Sequence, residues 1–400
     1  MSSTRVGCYL AVGAMAALFA HREARAQTPP TCTFDSTTAI VRVSVNGQPA
    51  TVTRTAAGVI RLNGVGCSGA TTANTDRIVI QGGPLQDVVS LRGAFAPGLT
   101  AEAGVSEIEI QVSNIQNFTW MLGPDNDVLV FTGTGLDVGG DGDVDVTGSP
   151  AGTVQGGPGD DILDFSQNTS AFTLDGQAGD DEIIGGNGNN TLIGGDGNDT
   201  LQANGGNDRL EGGPGNDIMF GGNGLDTFVE GNAANGSDDI FGGAQKDTVD
   251  YSRRTASVSV TLGAGADDDG EAGEGDEVAV DVEVATGGSG DDTLVGTANR
   301  NTLNGGAGND ELFGGGNRDL LFGGPGNDYL QGDAGPNNLH GEDGNDILVG
   351  HPSAIDKFFG GAGDDELTGT TDGRREPVNC GDGTDTVEAN DEDNFIACEN

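Results

Sequence analysis

The 400-residue sequence has one tryptophan, three tyrosines and two lysines, Lys246 and Lys357. Leu, Ile, Val and Phe make up roughly a fifth of it, close to the level below which a highly charged chain stays disordered. Bases are scarce: 17 Lys and Arg stand against 63 Asp and Glu, for a net charge of −46. No basic face is available for nucleic-acid phosphates, which excludes that class of partner. Histidine occurs three times, as His21, His340 and His351. H-E-x-x-H, G-x-S-x-G and G-x-x-x-x-G-K-[ST] are all missing, and a catalytic constellation with them. The chain therefore reads as not an enzyme. What it has in excess is glycine, 73 residues, and acid. Such a chain is either disordered or neutralised by something outside the polypeptide.

The longest apolar run is Val6 to Ala20, preceded by Arg5 and followed by Ala24-Arg25-Ala26. Basic start, short apolar stretch and A-x-A site are the layout of a secretory signal peptide, too short for a membrane span. Cleavage is expected after Ala26. It removes three bases (Arg5, Arg22, Arg25) and one acid (Glu23), which takes the net charge from −46 to −48. The expected destination is outside the cell or in its envelope. Cys8 leaves with the signal; Cys32, Cys67, Cys380 and Cys398 remain. Four cysteines allow three pairings, of which Cys32–Cys67 and Cys380–Cys398 are the most economical. Export favours disulfides, and the rival zinc site has no C-x-x-C pair or flanking His to support it.

A nine-residue period organises the middle of the chain. From Gly176 to Val229 it divides without a gap into units such as GGDGNDTLQ and GGPGNDIMF, and a second run covers Gly287 to Val349. Outlying copies begin at 156, 233, 242, 351 and 360. Position eight is apolar in every unit, from Leu163 to Leu367, and position six is Asp or Asn. The glycines specify a tight turn. The last three residues, apolar only in the middle, specify a very short strand with one side chain inward. One such unit buries nothing alone; stacked units share a continuous apolar seam.

Stacking also stacks the carboxylates. If two units make one coil, position-six residues lie one strand spacing apart, and two charges about 5 Å apart repel by roughly 3 kcal/mol at an effective dielectric near 20. A hard divalent cation in an all-oxygen cage reverses the sign, and calcium suits such a flexible cage better than magnesium. The alternative is a metal-free solenoid whose Asp side chains merely cap turns. Position six is held by Asp161, Asp181, Asn190, Asp199, Asp208, Asp217, Asp226, Asp238 and Asp247, then by Asp292, Asn301, Asp310, Asp319, Asp328, Asn337, Asp346, Asp356 and Asp365.

The pattern G-G-x-G-x-D-x-U-x, as in Gly194 to Gln202, resembles the repeats-in-toxin (RTX) calcium-binding nonapeptide. The resemblance covers roughly 156–250 and 287–368. It implies an all-β chain with a right-handed parallel β-roll (a β-helix solenoid) in two repeat blocks, each calcium lying between turns 18 residues apart. The implied ligand pairs are Asp181/Asp199, Asn190/Asp208, Asp199/Asp217 and Asp208/Asp226, then Asp292/Asp310, Asn301/Asp319, Asp310/Asp328, Asp319/Asn337 and Asp328/Asp346, about nine calcium ions in ideal register. Insertions after Asp164, at 230–232 and at Gly350 put the neighbouring places in doubt. So do Asn204, Gln245 and Asn317, which replace turn glycines. Many RTX proteins leave by an uncleaved C-terminal signal; the cleavable leader here departs from that pattern.

The expected organisation is a signal peptide (1–26), an N-terminal β-rich domain (27–121), a first β-roll block with a transitional start (122–250), a connection (251–286), a second block (287–368) and a cysteine-bearing cap (369–400). The N-terminal domain reads as short strands, and as an irregular β-helix feeding the roll. In the connection, Ser257 to Leu262 and Val278 to Val284 alternate apolar and polar and read as two strands. The acidic stretch they bracket, Asp267 to Glu277, reads as a solvated loop, with an additional cation as the alternative. The function expected is a secreted calcium-binding solenoid that folds on calcium binding and has a structural or surface role. The alternative is an adhesin or matrix protein that binds glycans, or a non-catalytic partner of a secreted hydrolase. Calcium and cell-surface or matrix components are the expected partners.

Overall fold

The computed structural model describes residues 152–263, 269–370 and 375–389, the strands between 31 and 147, residues 394–396, and Cys398. The signal peptide expected at 1–26 lies outside the described residues. Within them the chain is all β, and no helix is long and apolar enough to cross a membrane.

Each nonapeptide forms the expected turn and short strand. Successive strands fall on opposite walls of a flattened coil. Thr200–Gln202 pairs in parallel with Glu182–Ile184 and with Ile218–Asn223, always 18 residues away. Arg209–Glu211, one unit on, pairs across the coil with Thr191–Asp196 and Thr227–Val229. Two units therefore make one turn of a parallel β-solenoid. The position-eight residue of every unit, from Leu163 through Met219 and Phe228 to Leu367, is fully buried between the walls. Each such burial contributes about 1.5–3 kcal/mol.

One wall is an uninterrupted ladder. It begins with antiparallel steps from Val65–Thr71 to Val59–Leu62 to Ala50–Arg54. It then runs parallel through Val88–Arg92, Asn117–Met121, Gly152–Pro158 and Phe172–Ala178 to Asn394–Ile396. The other wall is broken. A 13-stranded sheet ends at Glu277–Val278, and an 8-stranded sheet begins with Gly270–Glu271 and Val258–Thr261. Strands before residue 122 thus pair in the same two walls as the repeats. Cys32–Cys67 and Cys380–Cys398 are both joined.

Two expectations for the connection fail. Val258–Thr261 is a strand, but Val278 to Val284 is not one. Val278 ends Glu277–Val278 on the broken wall, and Val284–Thr286 lies on the unbroken one. Val278 and Ala285 are both fully buried, because each occupies a position-eight place of the coil with a turn between them. Asp267 and Asp268 lie outside the described residues, and the described part of the acidic stretch is not a solvated loop either. Asp269 and Asp276 are buried and face each other in an antiparallel bridge, and Glu274 is buried beside them.

Candidate metal centres

The turn glycines stack at near-contact. Gly197 has φ of 143°, and a Cβ there would overlap the carbonyl oxygen of Gly179 in the preceding coil. The non-glycine residues at such places take the same left-handed backbone: Asn204 (φ 70°), Gln245 (φ 87°) and Asn317 (φ 74°). The turns doubted on sequence are therefore kept, at a cost of about 1–3 kcal/mol each.

Position six is where the coils are clipped together. The Asp161 N–H donates to Asp181 Oδ1 (2.7 Å), Asp181 to Asp199 (2.7 Å), Asp199 to Asp217 (2.7 Å) and Asp217 to Asp238 (2.8 Å). On the opposite edge Asn190 donates to Asp208 (2.6 Å), Asp208 to Asp226 (2.8 Å) and Asp226 to Asp247 (2.8 Å). The second block repeats the scheme through Asp292, Asp310, Asp328, Asp346 and Asp365 on one edge. Asn301, Asp319, Asn337 and Asp356 do so on the other. All nine pairs in ideal register are thus in contact. The pairs that span the insertions, Asp217/Asp238, Asp226/Asp247, Asn337/Asp356 and Asp346/Asp365, are in contact too, because the extra residues loop out.

Each clip uses one carboxylate oxygen. The second, Oδ2, is buried and accepts no hydrogen bond in Asp181, Asp199, Asp208, Asp217, Asp226 and Asp247, nor in Asp310, Asp319, Asp328, Asp346 and Asp365. Turn-capping accounts for Oδ1 and leaves Oδ2 unexplained. Glycine at position one makes room for it: a Cβ on Gly194, Gly212 or Gly305 would overlap Oδ2 of Asp199, Asp217 or Asp310.

An unpaired buried carboxylate is costly. Burial accordingly pushes Asp181 up to about 6, Asp199 and Asp208 to about 7, and Asp217 to about 8. In the second block Asp310 rises to about 6 and Asp319 and Asp328 to about 7, again through burial first. The backbone N–H at Oδ1 opposes the rise without cancelling it.

Asn337 shows what the second oxygen faces. Its Nδ2 donates to the carbonyls of Gly332 (2.8 Å), Gly335 (2.9 Å) and Asp333 (3.3 Å), positions one, four and two of its own turn. Three carbonyls thus converge on the outer atom of the position-six side chain. Asp292 Oδ2 and Asp356 Oδ2 instead accept the N–H groups of Gly288 (2.6 Å) and His351 (2.7 Å); where Oδ2 has no such donor, as in Asp310 and Asp328, a cation would reconcile it with the turn carbonyls. The donor set is all oxygen, with no His or Cys, which fits calcium and does not fit zinc.

Two features escaped the sequence reading. Position-six places are also filled by Asp276, Glu283, Glu376 and Asp385, whose carboxylates accept from Asp238, Asp247, Asp356 and Asp365. Their signal was the apolar residue two places on: Val278, Ala285, Val378 and Val387. Position five forms a second, exposed ladder, as when Asn216 N–H donates to Asn198 Oδ1 and Asn198 N–H to Asp180 Oδ1. The column of Asp and Asn at position five was visible in the repeats.

The RTX calcium-binding nonapeptide repeat (four copies) matches the chain at 173–201, 193–228, 232–252, 286–321, 322–352 and 353–372. No curated protein matches it. The matched segments coincide with the coils that carry the buried carboxylate ladders, and over them the chain carries RTX calcium-binding nonapeptide repeats.

Proposed function

We propose that this is a secreted, non-catalytic solenoid whose folding is gated by calcium, with a structural or surface role outside the cell. The reading is carried by one observation: a run of buried Asp Oδ2 atoms without hydrogen-bond partners, each facing its own turn. Calcium, when bound, supplies the positive charge that lets these carboxylates stay ionised. Asp199 and its counterparts would hold it together with the turn carbonyls, and their Oδ1 atoms keep neighbouring coils in register. In a low-calcium cytoplasm the acidic chain stays expanded, and outside the cell binding draws it into the fold by linkage. Affinities in the extracellular-module range, roughly 10⁻⁴–10⁻³ M, suit that switch.

The leader-like residues 1–26 and the two disulfides support export. Attachment to cell-surface or matrix components is the corollary, and a glycan and cell-wall binding screen tests it. The central test is circular dichroism of the mature chain with calcium and with EGTA, joined to a calorimetric ion count. Asp199→Ala is expected to lose more than one ion, since Asp199 is clipped to Asp181 on one side and Asp217 on the other. A strong β spectrum indifferent to chelation overturns the reading.

A further inference from the structure

The break in one wall is filled by side chains of the connection and of the three-residue insertion that follows Val229. Arg254 is completely buried there, 5.7 Å from the centre of the Tyr251 ring. Its Nη2 donates to Glu274 Oε1 (2.6 Å) and Asn235 Oδ1 (2.7 Å), and its Nη1 to Glu271 Oε1 (3.2 Å). Around Arg254 and Tyr251 lie the buried acids Glu230, Asp238, Asp269, Glu274 and Asp276. Asp269 is occupied by the N–H groups of Thr261 and Val278. Asp276 accepts from Tyr251 Oη (2.8 Å) and from the Asp238 N–H (3.0 Å). Glu230 is different. It is 1% exposed, and neither of its oxygens accepts a hydrogen bond. The nearest cation, Arg254 Nη2, is 3.5 Å from Oε2. A single charge shared among Glu230, Glu271 and Glu274 leaves the cluster strongly negative.

Glu230, Glu274 and Asp276 each bring one oxygen within 4.8 Å of the others. One ion can reach all three oxygens at that separation, and an all-oxygen set in a flexible cage suits calcium. A cleft of 580 Å³, lined by Ser257, Ser259, Glu271, Glu274 and Asp291 among others, leads from solvent to Glu274. Glu230 belongs to no nonapeptide: it enters from the insertion, a place the repeat pattern treats as a defect.

We propose that Glu230, Glu274 and Asp276 form a separate calcium site at the seam, distinct from the turn sites, which fastens the end of the 13-stranded sheet to the start of the 8-stranded one. The site shares Asp276 with the position-six ladder and stands apart from the turns through Glu230 and Glu274. The experiment uses the full mature chain in saturating calcium. Calorimetry on Glu230→Gln is expected to count one ion fewer with the β spectrum retained, and Glu274→Gln to repeat that loss. With terbium as probe, excitation of tyrosine reports this site through Tyr251. Tyr251→Phe is expected to remove a large share of the emission that Asp199→Asn leaves in place. A folded Glu230→Gln with an unchanged ion count means that Arg254 alone balances Glu230, and overturns the proposal. If neither carboxylate variant folds, terbium emission unchanged by Tyr251→Phe overturns it equally. Failure of the turn-site reading would instead show as an unchanged ion count in Asp199→Asn with the Tyr251 signal intact.

Discussion

Removing calcium and lowering the pH should restore what calcium supplied. The perturbation is a pH series from about 8 to about 5 on the mature chain in chelator. Asp199, Asp208, Asp319 and Asp328 are each raised from 3.8 to about 7 in the folded coil, first by burial. Between those two values the folded form keeps a proton that the unfolded chain has released. Unfolding free energy therefore falls as pH rises through this window, and the fold is favoured on its acid side. At 1.36 kcal/mol per unit, each of these groups is worth about 4 kcal/mol across the whole window and about 2 kcal/mol by pH 5.5. Three or four such groups match the 5–15 kcal/mol net stability of a typical domain. The cation-free chain is thus expected to gain β structure by far-ultraviolet circular dichroism, and to compact by sedimentation, as pH falls from 8 towards 5.5. In saturating calcium the fold is expected to persist at pH 8, with protons released on binding near pH 6.5. A chelated chain equally folded at both pH values, or one that folds as pH rises, would refute the assignment of buried, unpaired carboxylates.

Asp208→Asn separates the two roles of position six: in chelator it is expected to move the folding midpoint to higher pH, and in calcium to lower the melting temperature by removing a ligand. Both follow from thermal and pH melts of one preparation. Gly215→Ala places a Cβ against the Gly197 carbonyl at φ of 152° and is expected to cost about 3 kcal/mol or more, read from chemical denaturation in calcium. Cys398→Ser opens a loop of 18 residues and is expected to cost about 3 kcal/mol by loop entropy, read the same way.

The solenoid was legible because two columns of the repeat obey separate physics that agree. Leu201 has to point inward because it is the only apolar residue of its strand, and Asp199 has to sit at the turn because Gly194, Gly195 and Gly197 lead into it. What escaped was the connection. Glu283 and Glu376 do the work of Asp at position six with one more methylene, which breaks the motif while preserving the contact. Asp276 sits in a unit, Glu271 to Ala279, stripped of its leading glycines. The run Val278 to Val284 imitated a strand because two inward residues separated by a turn can match strand alternation. Buried acids at the seam were invisible for a further reason: nothing local distinguishes Glu230 from any acid in an insertion, and only the stacking of distant coils encloses it.

The two covalent ties sit near opposite extremities of the stack, one joining Cys32 to Cys67 and the other Cys380 to Cys398. A linear array ordinarily peels from its ends, where each terminal layer has a neighbour on only one side. Here the extremities are stapled and the discontinuity lies midway, so loss of cations is expected to open the array from its interior and to leave two shorter rods joined along their unbroken flank.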